Sequence, residues 1–443
     1  MFLLYFVVIA ILVLLLYDYR SGIITSLMVI TNFGEFVYVN PNLEIGDFGG
    51  IGTIYFMDLF WIALLISIFI RRDRFQLLNY KASIVFLISL FVVALIIPFL
   101  ISSFSAKDMI SVIRPLGNFL FLPYLVFTIT GIKELNFFEK VITTMVFAFL
   151  AIQVYEYVLQ KRIPIRFFDE YSLFYGEDPF AVEFGGIKTG YIWSRIGYLL
   201  PFNLFFGAYY YFTDKRNYGM ILIGAYMLSI MITLSRIWII GFVFFLIIIT
   251  IVLMLRRRQL DNVSFKLFLM LGSFAIITLV LLFSSTSFGK ILDIFLLRIN
   301  SINDLADKTD SSFLGREYIL LRMISVWFEY PVFGAGFSGI SRKLVTNDLG
   351  IPNLVTIFGG AGILMLGMFF KQYYGNIKPF IANNFILFTC LLTVMMMITF
   401  MSIFSIDMFY YNAIGAMLFA FGNIMLNIAK QDAQDDQTYR EAA

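Results

Sequence analysis

Residues 234–258 read LSRIWIIGFVFFLIIITIVLMLRRR: one arginine, an unbroken apolar run over 237–255, then three arginines in a row. At 1.5 Å of rise per residue, such a run makes a helix long enough to cross a hydrocarbon core of about 30 Å. Short loops rich in Lys and Arg stay in the cytoplasm, so Arg256–Arg258 fix the inward end. Arg236 then sits at the outward end, in a turn so tight that Ser235 is almost the whole of it. This one stretch predicts both a membrane span and its direction.

Similar runs fill the chain on either side, at 1–17, 51–70, 82–103, 111–130, 141–158, 191–212, 218–234, 267–284, 353–370, 380–402 and 406–427. Lipid offers no water to backbone polar groups, so segments of this kind close their hydrogen bonds internally as helices. The expectation is an all-α, polytopic integral membrane protein of about 12 transmembrane helices, forming a single membrane domain over 1–443. Residues 22–39, which contain Asn32, Gly34 and Glu35, read either as a thirteenth span or as a helix at the interface. Met1–Tyr17 lacks a basic leader and a small-residue cleavage site, and reads as a retained span.

The remaining basic groups agree with this direction. Arg71, Arg72, Arg74 and Lys81, Lys133 and Lys140, Lys215 and Arg216, Lys266, and Lys371 and Lys378 all fall in alternate connections and land on the inward side. Two longer polar stretches, 159–190 and 285–350, land outside as larger loops containing short helices. Residues 428–443 form an inward, acidic tail. No internal repeat of the kind common in secondary transporters is visible.

Composition removes several function classes. The chain is 60% apolar and 14% charged with 53 Phe, and its mean hydropathy is +0.89. A net charge of +3 without a basic run gives no grip on nucleic acid. The single cysteine, Cys390, rules out disulfides within one chain. The chain has no histidine, which excludes His-ligated metal sites, a His base and a Ser-His-Asp triad.

Candidate functional residues lie outside. Arg236, beside hydrocarbon, must face protein, water or an anion, and its planar donor fork suits phosphate oxygens; it also reads as a snorkelling interface arginine. Arg195, about one turn into the span from Tyr191, carries the same two readings. In the large loop, 315–330 reads as a helix stopped by Pro331, with Arg322, Ser325 and Glu329 on one face and Trp327 elsewhere. That helix is placed to lie on the membrane and turn polar groups toward a lipid headgroup. Gly334-Ala335-Gly336 follows as a flexible turn. Arg316, Arg322 and Arg342 are each solvated charges, salt-bridge partners (Arg322 with Glu329, for example) or members of an anion site with Arg236. Among the acids, Glu183 lies nearest Arg195 in sequence. The glycine-rich 185–190 is not a phosphate-binding loop, and Asp304, Asp307 and Asp310 do not follow a calcium-loop pattern.

Three pieces together resemble the bacterial O-antigen polymerase and O-antigen ligase superfamily, covering about 190–370. They are Thr233-Leu234-Ser235-Arg236 before a span; Gly315-Arg316 with Trp327, Pro331 and Gly334-Ala335-Gly336-Phe337; and Asn353 with Gly360-Ala361-Gly362. The resemblance implies a multi-span, inverting glycosyltransferase in the bacterial inner membrane, with its site on the periplasmic face. It implies a glycan donor carried on undecaprenyl diphosphate, with no nucleotide sugar, cofactor or metal. Arg236, Arg195, Arg316 and Glu183 are the expected catalytic residues, and Arg322, Arg342, Trp327 and Asn353 the expected substrate-binding ones. Expected partners are lipid-linked oligosaccharide repeat units, membrane lipid, a chain-length regulator and a flippase, and not nucleic acid. The ligase branch typically carries a histidine just before its Asn; Pro352 stands there in this chain, which favours the repeat-unit polymerase and leaves the general base unassigned. The rival readings are a flippase or transporter of the same lipid-linked units and a ligase-like glycan transferase.

Overall fold

The computed structural model describes residues 2–31, 44–47, 53–71, 81–159, 182–184, 187–189, 199–213, 215–233, 236–255, 311–345, 349–381, 385–404, 417–418, 420–425 and 428. Helices dominate. In chain order they begin with α1 (Phe2–Tyr17) and α2 (Tyr19–Ile30), where Asp18 starts α2 by accepting from the Tyr19 N–H at 2.7 Å and the Arg20 N–H at 3.3 Å. A short antiparallel hairpin, β1 (Glu44–Asp47) and β2 (Thr53–Tyr55), leads into α3 (Phe56–Arg71) and then α4 (Lys81–Leu100).

Next come α5 (Ala106–Ile113), a 3₁₀ turn over Arg114–Leu120, and α6 (Phe121–Thr128), followed by the long α7 (Ile132–Leu159). The hairpin of β3 (Val182–Phe184) and β4 (Ile187–Thr189) precedes α8 (Leu200–Phe212), α9 (Arg216–Thr233) and α10 (Arg236–Leu255). The last group is α11 (Ser311–Glu329), α12 (Gly339–Leu344), α13 (Gly350–Ile381) and α14 (Phe385–Phe404).

Among the described residues four helical segments are long and apolar enough to cross a membrane: Ala106–Thr128, Ile132–Tyr155, Gly350–Pro379 and Phe385–Ile403. Four shorter apolar helices accompany them, at Tyr19–Ile30, Phe56–Ile70, Val85–Leu100 and Ile237–Val252. This is the architecture of an all-α membrane protein, but the described residues do not reach the expected count of 12. Part of the difference is physical. The run expected at 111–130 starts earlier and passes through a 3₁₀ turn, because Pro115 withholds a backbone donor. Of the span expected at 191–212 the described part is helical from Leu200, with Pro201 in its first turn, and 191–198 lie outside the described residues. At 22–39 the helix ends at Ile30, with residues 32–39 beyond the described ones. The span expected at 267–284 lies outside the described residues, and that at 406–427 largely so.

The core is aromatic. Phe421 packs against Phe138, Phe202, Phe205 and Phe206 with ring centroids 6.3, 6.0, 5.0 and 5.6 Å away. α8 and α9 cross closely where Gly207 meets Gly219, and a Cβ on Gly219 would strike the backbone of Tyr211 and Gly207. Buried polar groups find partners across helices: Asn203 Nδ2 donates to the Leu222 carbonyl at 2.6 Å, and Ser229 Oγ to Gln153 Oε1 at 2.7 Å. Phe69, Ile70, Val85, Ile88, Phe99, Leu100 and Leu364 instead turn large apolar side chains outward. A broad apolar exterior of this kind fits hydrocarbon and not water.

The two ends of the bundle differ. At one end Lys215 Nζ stands 4.9 Å over the Tyr210 ring, and Arg216 donates to the Tyr211 hydroxyl at 2.9 Å. There Tyr210 also donates to Glu139, whose two carboxylate oxygens both lie at 2.7 Å, while Arg20 leans on Tyr19 and Phe137. Such tyrosines with basic neighbours form the amphipathic belt of a membrane interface. The other end carries α5, α11, α12 and the start of α13.

Candidate functional site

Two helices lose backbone hydrogen bonds at this second end, and one loop supplies partners to both. Pro98 in α4 has no N–H for the carbonyl of Ala94, four residues earlier. The backbone N–H of Phe337 fills that place at 3.0 Å. In α13, Gly359 adopts φ +60° and ψ −151°, which interrupts the helix. The carbonyls of Thr356 and Ile357 then accept from the N–H groups of Ala335 (2.9 Å) and Gly336 (3.0 Å). On the far side of the break, Gly360 and Ala361 donate to the carbonyls of Pro331 (2.8 Å) and Val332 (3.0 Å). Segment 331–337 therefore runs across the gap and bonds to both halves of α13, as broken backbone at membrane depth requires.

The glycines in this joint are there for geometry. Gly334 and Gly336 have φ of +67° and +61°. A Cβ on Gly334 would lie 2.6 Å from the backbone of Thr356 and Ile357, and one on Gly336 would lie 2.6 Å from the Ala94 oxygen. The flexible turn expected over Gly334-Ala335-Gly336 is thus corrected. The segment is buried, and each N–H from Gly334 to Phe337 has a backbone acceptor, that of Gly334 being Tyr330 at 3.0 Å.

α11 ends at Glu329, one residue short of the expected Tyr330 and two before Pro331, and it starts at Ser311, four residues before the expected 315. Met323 and Val326 face inward and share a small core with Ala335, Leu344 and Leu349. Arg322, Ser325 and Glu329 lie together on the exposed side as expected. Trp327 Nε1 donates to the Pro331 carbonyl at 3.2 Å, the same oxygen that receives the Gly360 N–H. Three residues of the sequence pattern, Trp327, Pro331 and Gly360, so converge on one atom. Arg322 does not reach for Glu329; its guanidinium lies 4.4 Å over the Tyr318 ring. The neighbouring Glu329 carboxylate holds the Tyr330 phenol above its usual pKa.

α12 hangs from the same joint. Ser338 caps it by accepting from the Ser341 N–H at 3.3 Å, and Ser341 Oγ donates to the Gly336 carbonyl at 2.7 Å. On this helix Arg342 Nη1 pairs with Asp108 Oδ1 of α5, with the two side chains 43% and 22% exposed. Gly339 makes room for the pair, since a Cβ there would stand 2.9 Å from Asp108 Oδ2 and 3.5 Å from Ser103 Oγ. A second ion pair lies nearby in the chain: Arg114 Nε donates to Asp58 Oδ1 at 2.7 Å, with the guanidinium 4.4 Å over Tyr55. Asp58 Oδ2 accepts the Tyr55 N–H at 2.9 Å.

The remaining expected residues fall as follows. Asn353 is fully buried in the first turn of α13, directly below the joint in sequence. Arg236 is the first residue of α10, Arg316 lies in α11, and Glu183 lies in β3 opposite Lys188 in register; their side chains are outside the described part, as is the whole of Arg195. Sequence reasoning missed Asp108. Its local signal was Ser105-x-x-Asp108, a helix-start pattern in which Ser105 Oγ accepts the Asp108 N–H at 3.4 Å. Among the described residues no group of three or more His, Cys, Asp or Glu is placed to hold a metal ion.

Chemically the end offers exposed guanidinium groups, a carboxylate beside one of them, and a rigid backbone joint beneath. Guanidinium forks suit phosphate oxygens, and a carboxylate suits a hydroxyl proton. No protein-family model matches the chain, and no curated protein matches it either.

Proposed function

We propose that this protein is a repeat-unit polymerase for O-antigen or a similar surface polysaccharide, lying in a bacterial inner membrane with the 331–342 end facing the periplasm. It moves the growing glycan from undecaprenyl diphosphate to a new lipid-linked repeat unit. The observation that supports this best is the convergence of Trp327 Nε1 and the Gly360 N–H on the Pro331 carbonyl, at 3.2 and 2.8 Å. Weak motifs scattered by chance have no reason to share an atom; parts of one site do.

In this reading Arg236, Arg195 and Arg316 hold the donor diphosphate and stabilise the charge that grows on it as it leaves. The acceptor hydroxyl attacks the anomeric carbon from the opposite side, the bond to the diphosphate breaks, and the configuration inverts. Arg322, Arg342, Trp327 and Asn353 form or support the substrate surface, with Glu183 in reserve on the first outer loop. A chain-length regulator and a flippase act beside it.

The test is the surface glycan of a strain lacking this chain. Lipopolysaccharide core carrying only a single repeat supports the polymerase. Long chains stranded on undecaprenyl diphosphate point instead to a ligase, and single lipid-linked units kept on the inner face to a flippase. Arg236→Ala reproduces the deletion pattern at normal protein levels; normal chain lengths in that variant refute its role.

A further inference from the structure

We propose that Asp108 is the base that takes the acceptor proton and that Arg342 positions it, an inference that rests on the polymerase reading above. Transfer to a sugar hydroxyl releases one proton as the new glycosidic bond forms and the bond to the diphosphate breaks. A positioned carboxylate that receives this proton contributes about 10²–10⁴-fold. The chain has no histidine for the task.

Among the described residues, Asp108 is a carboxylate that the fold brings to the 331–342 joint from a distant stretch of the chain. It lies in the first turn of α5, yet its partner lies on α12, 234 residues away in sequence. The route from joint to carboxylate is continuous: Ser341 bonds the Gly336 carbonyl, Ser338 caps α12, and Gly339 gives Asp108 Oδ2 its space. Arg342 engages Oδ1, and both side chains keep partial access to solvent. Asp58 is not equivalent, because its two oxygens are committed to Arg114 and to the Tyr55 N–H. When a donor diphosphate enters, Arg342 has phosphate oxygens to bind with its remaining donors. The Asp108 carboxylate is then left to face the acceptor hydroxyl and takes its proton, while the electron pair of the broken bond departs with the diphosphate.

The experiment uses membranes carrying the full chain, supplied with lipid-linked repeat units extracted from the deletion strain. Turnover is read as polymer length over time. Asp108→Asn keeps the size and much of the polarity and lowers turnover at least about 100-fold. The swap D108R/R342D restores an ion pair between α5 and α12 without restoring the base, and it stays inactive. Turnover in Asp108→Asn above one tenth of wild type, or recovery of wild-type turnover in the swap, overturns the assignment and leaves only a tether. In those cases wild-type membranes still polymerise, so the polymerase reading survives. If wild-type membranes leave the repeat units unjoined, both fall together.

Discussion

Replacing Gly359 with alanine attacks the joint at its centre. The native conformation there, φ +60° and ψ −151°, belongs to a region kept almost entirely for glycine, so an alanine is strained by about 1–3 kcal/mol. The added Cβ would also stand 2.5 Å from the Gly334 N and 2.7 Å from the Val332 carbonyl carbon and oxygen. All of these are backbone atoms that no rotamer change can move. Relief requires 331–334 to back away, which opens the bonds from Gly360 to Pro331 and from Ala361 to Val332. Each buried group left unsatisfied costs about 1–3 kcal/mol. With two such groups the total is about 3–9 kcal/mol, comparable with the whole stability of many domains. Gly367 provides the control, because nothing lies within 4 Å of a Cβ there, and alanine in a helix is favoured over glycine by about 1 kcal/mol. Thermal unfolding of detergent-purified protein, followed by size-exclusion fluorescence, compares the two. Gly359→Ala should melt at least about 5 °C below wild type, while Gly367→Ala stays level or rises. Equal melting temperatures for the two variants would refute the idea that this joint holds the end together.

Two further predictions concern side chains around it. Trp327→Phe keeps the ring but loses the donor to Pro331, so it should destabilise by about 0.5–1.5 kcal/mol in the same assay, with Phe328→Ala, an exposed neighbour, as the comparison. Arg114→Met leaves Asp58 facing apolar surroundings without its partner. A fully buried pair would lose about 3–5 kcal/mol; with each side chain about a quarter exposed, solvent screening reduces this to about 1–2 kcal/mol, and adding Asp58→Asn should recover part of it. A double variant no better than the single one would show that the pair is not coupled.

Much of the architecture is legible in the residues themselves. Arg236–Leu255 is helical over the whole run that the sequence marks out, because apolar length and terminal charge act locally. The α11 stop before Pro331 and its exposed Arg322 face follow from helix period and proline chemistry. Tertiary detail is not legible in the same way. Whether 334–337 is loose or locked depends on the Thr356, Ile357 and Ala94 carbonyls, which become available only where other helices lose backbone hydrogen bonds. Arg342 is visible as a charge, but its partner Asp108 lies on a helix distant in sequence, and hydropathy carries no information about such pairings. The short 3₁₀ turn at Arg114–Leu120 likewise hides inside a run whose composition reads as continuous.

The bond between Phe337 and Ala94 has a consequence for biogenesis. When α4 leaves the ribosome, the residue that will satisfy its proline-freed carbonyl has not been made. At about 5–20 residues per second, the roughly 240 residues between them take about 10–50 s to synthesise. During that interval the nascent α4 carries an open acceptor that water, a lipid headgroup or an insertase must occupy. A chain cut short before residue 337 never closes it, so the backbone bonding of α4 is completed only once the 331–337 segment has been made.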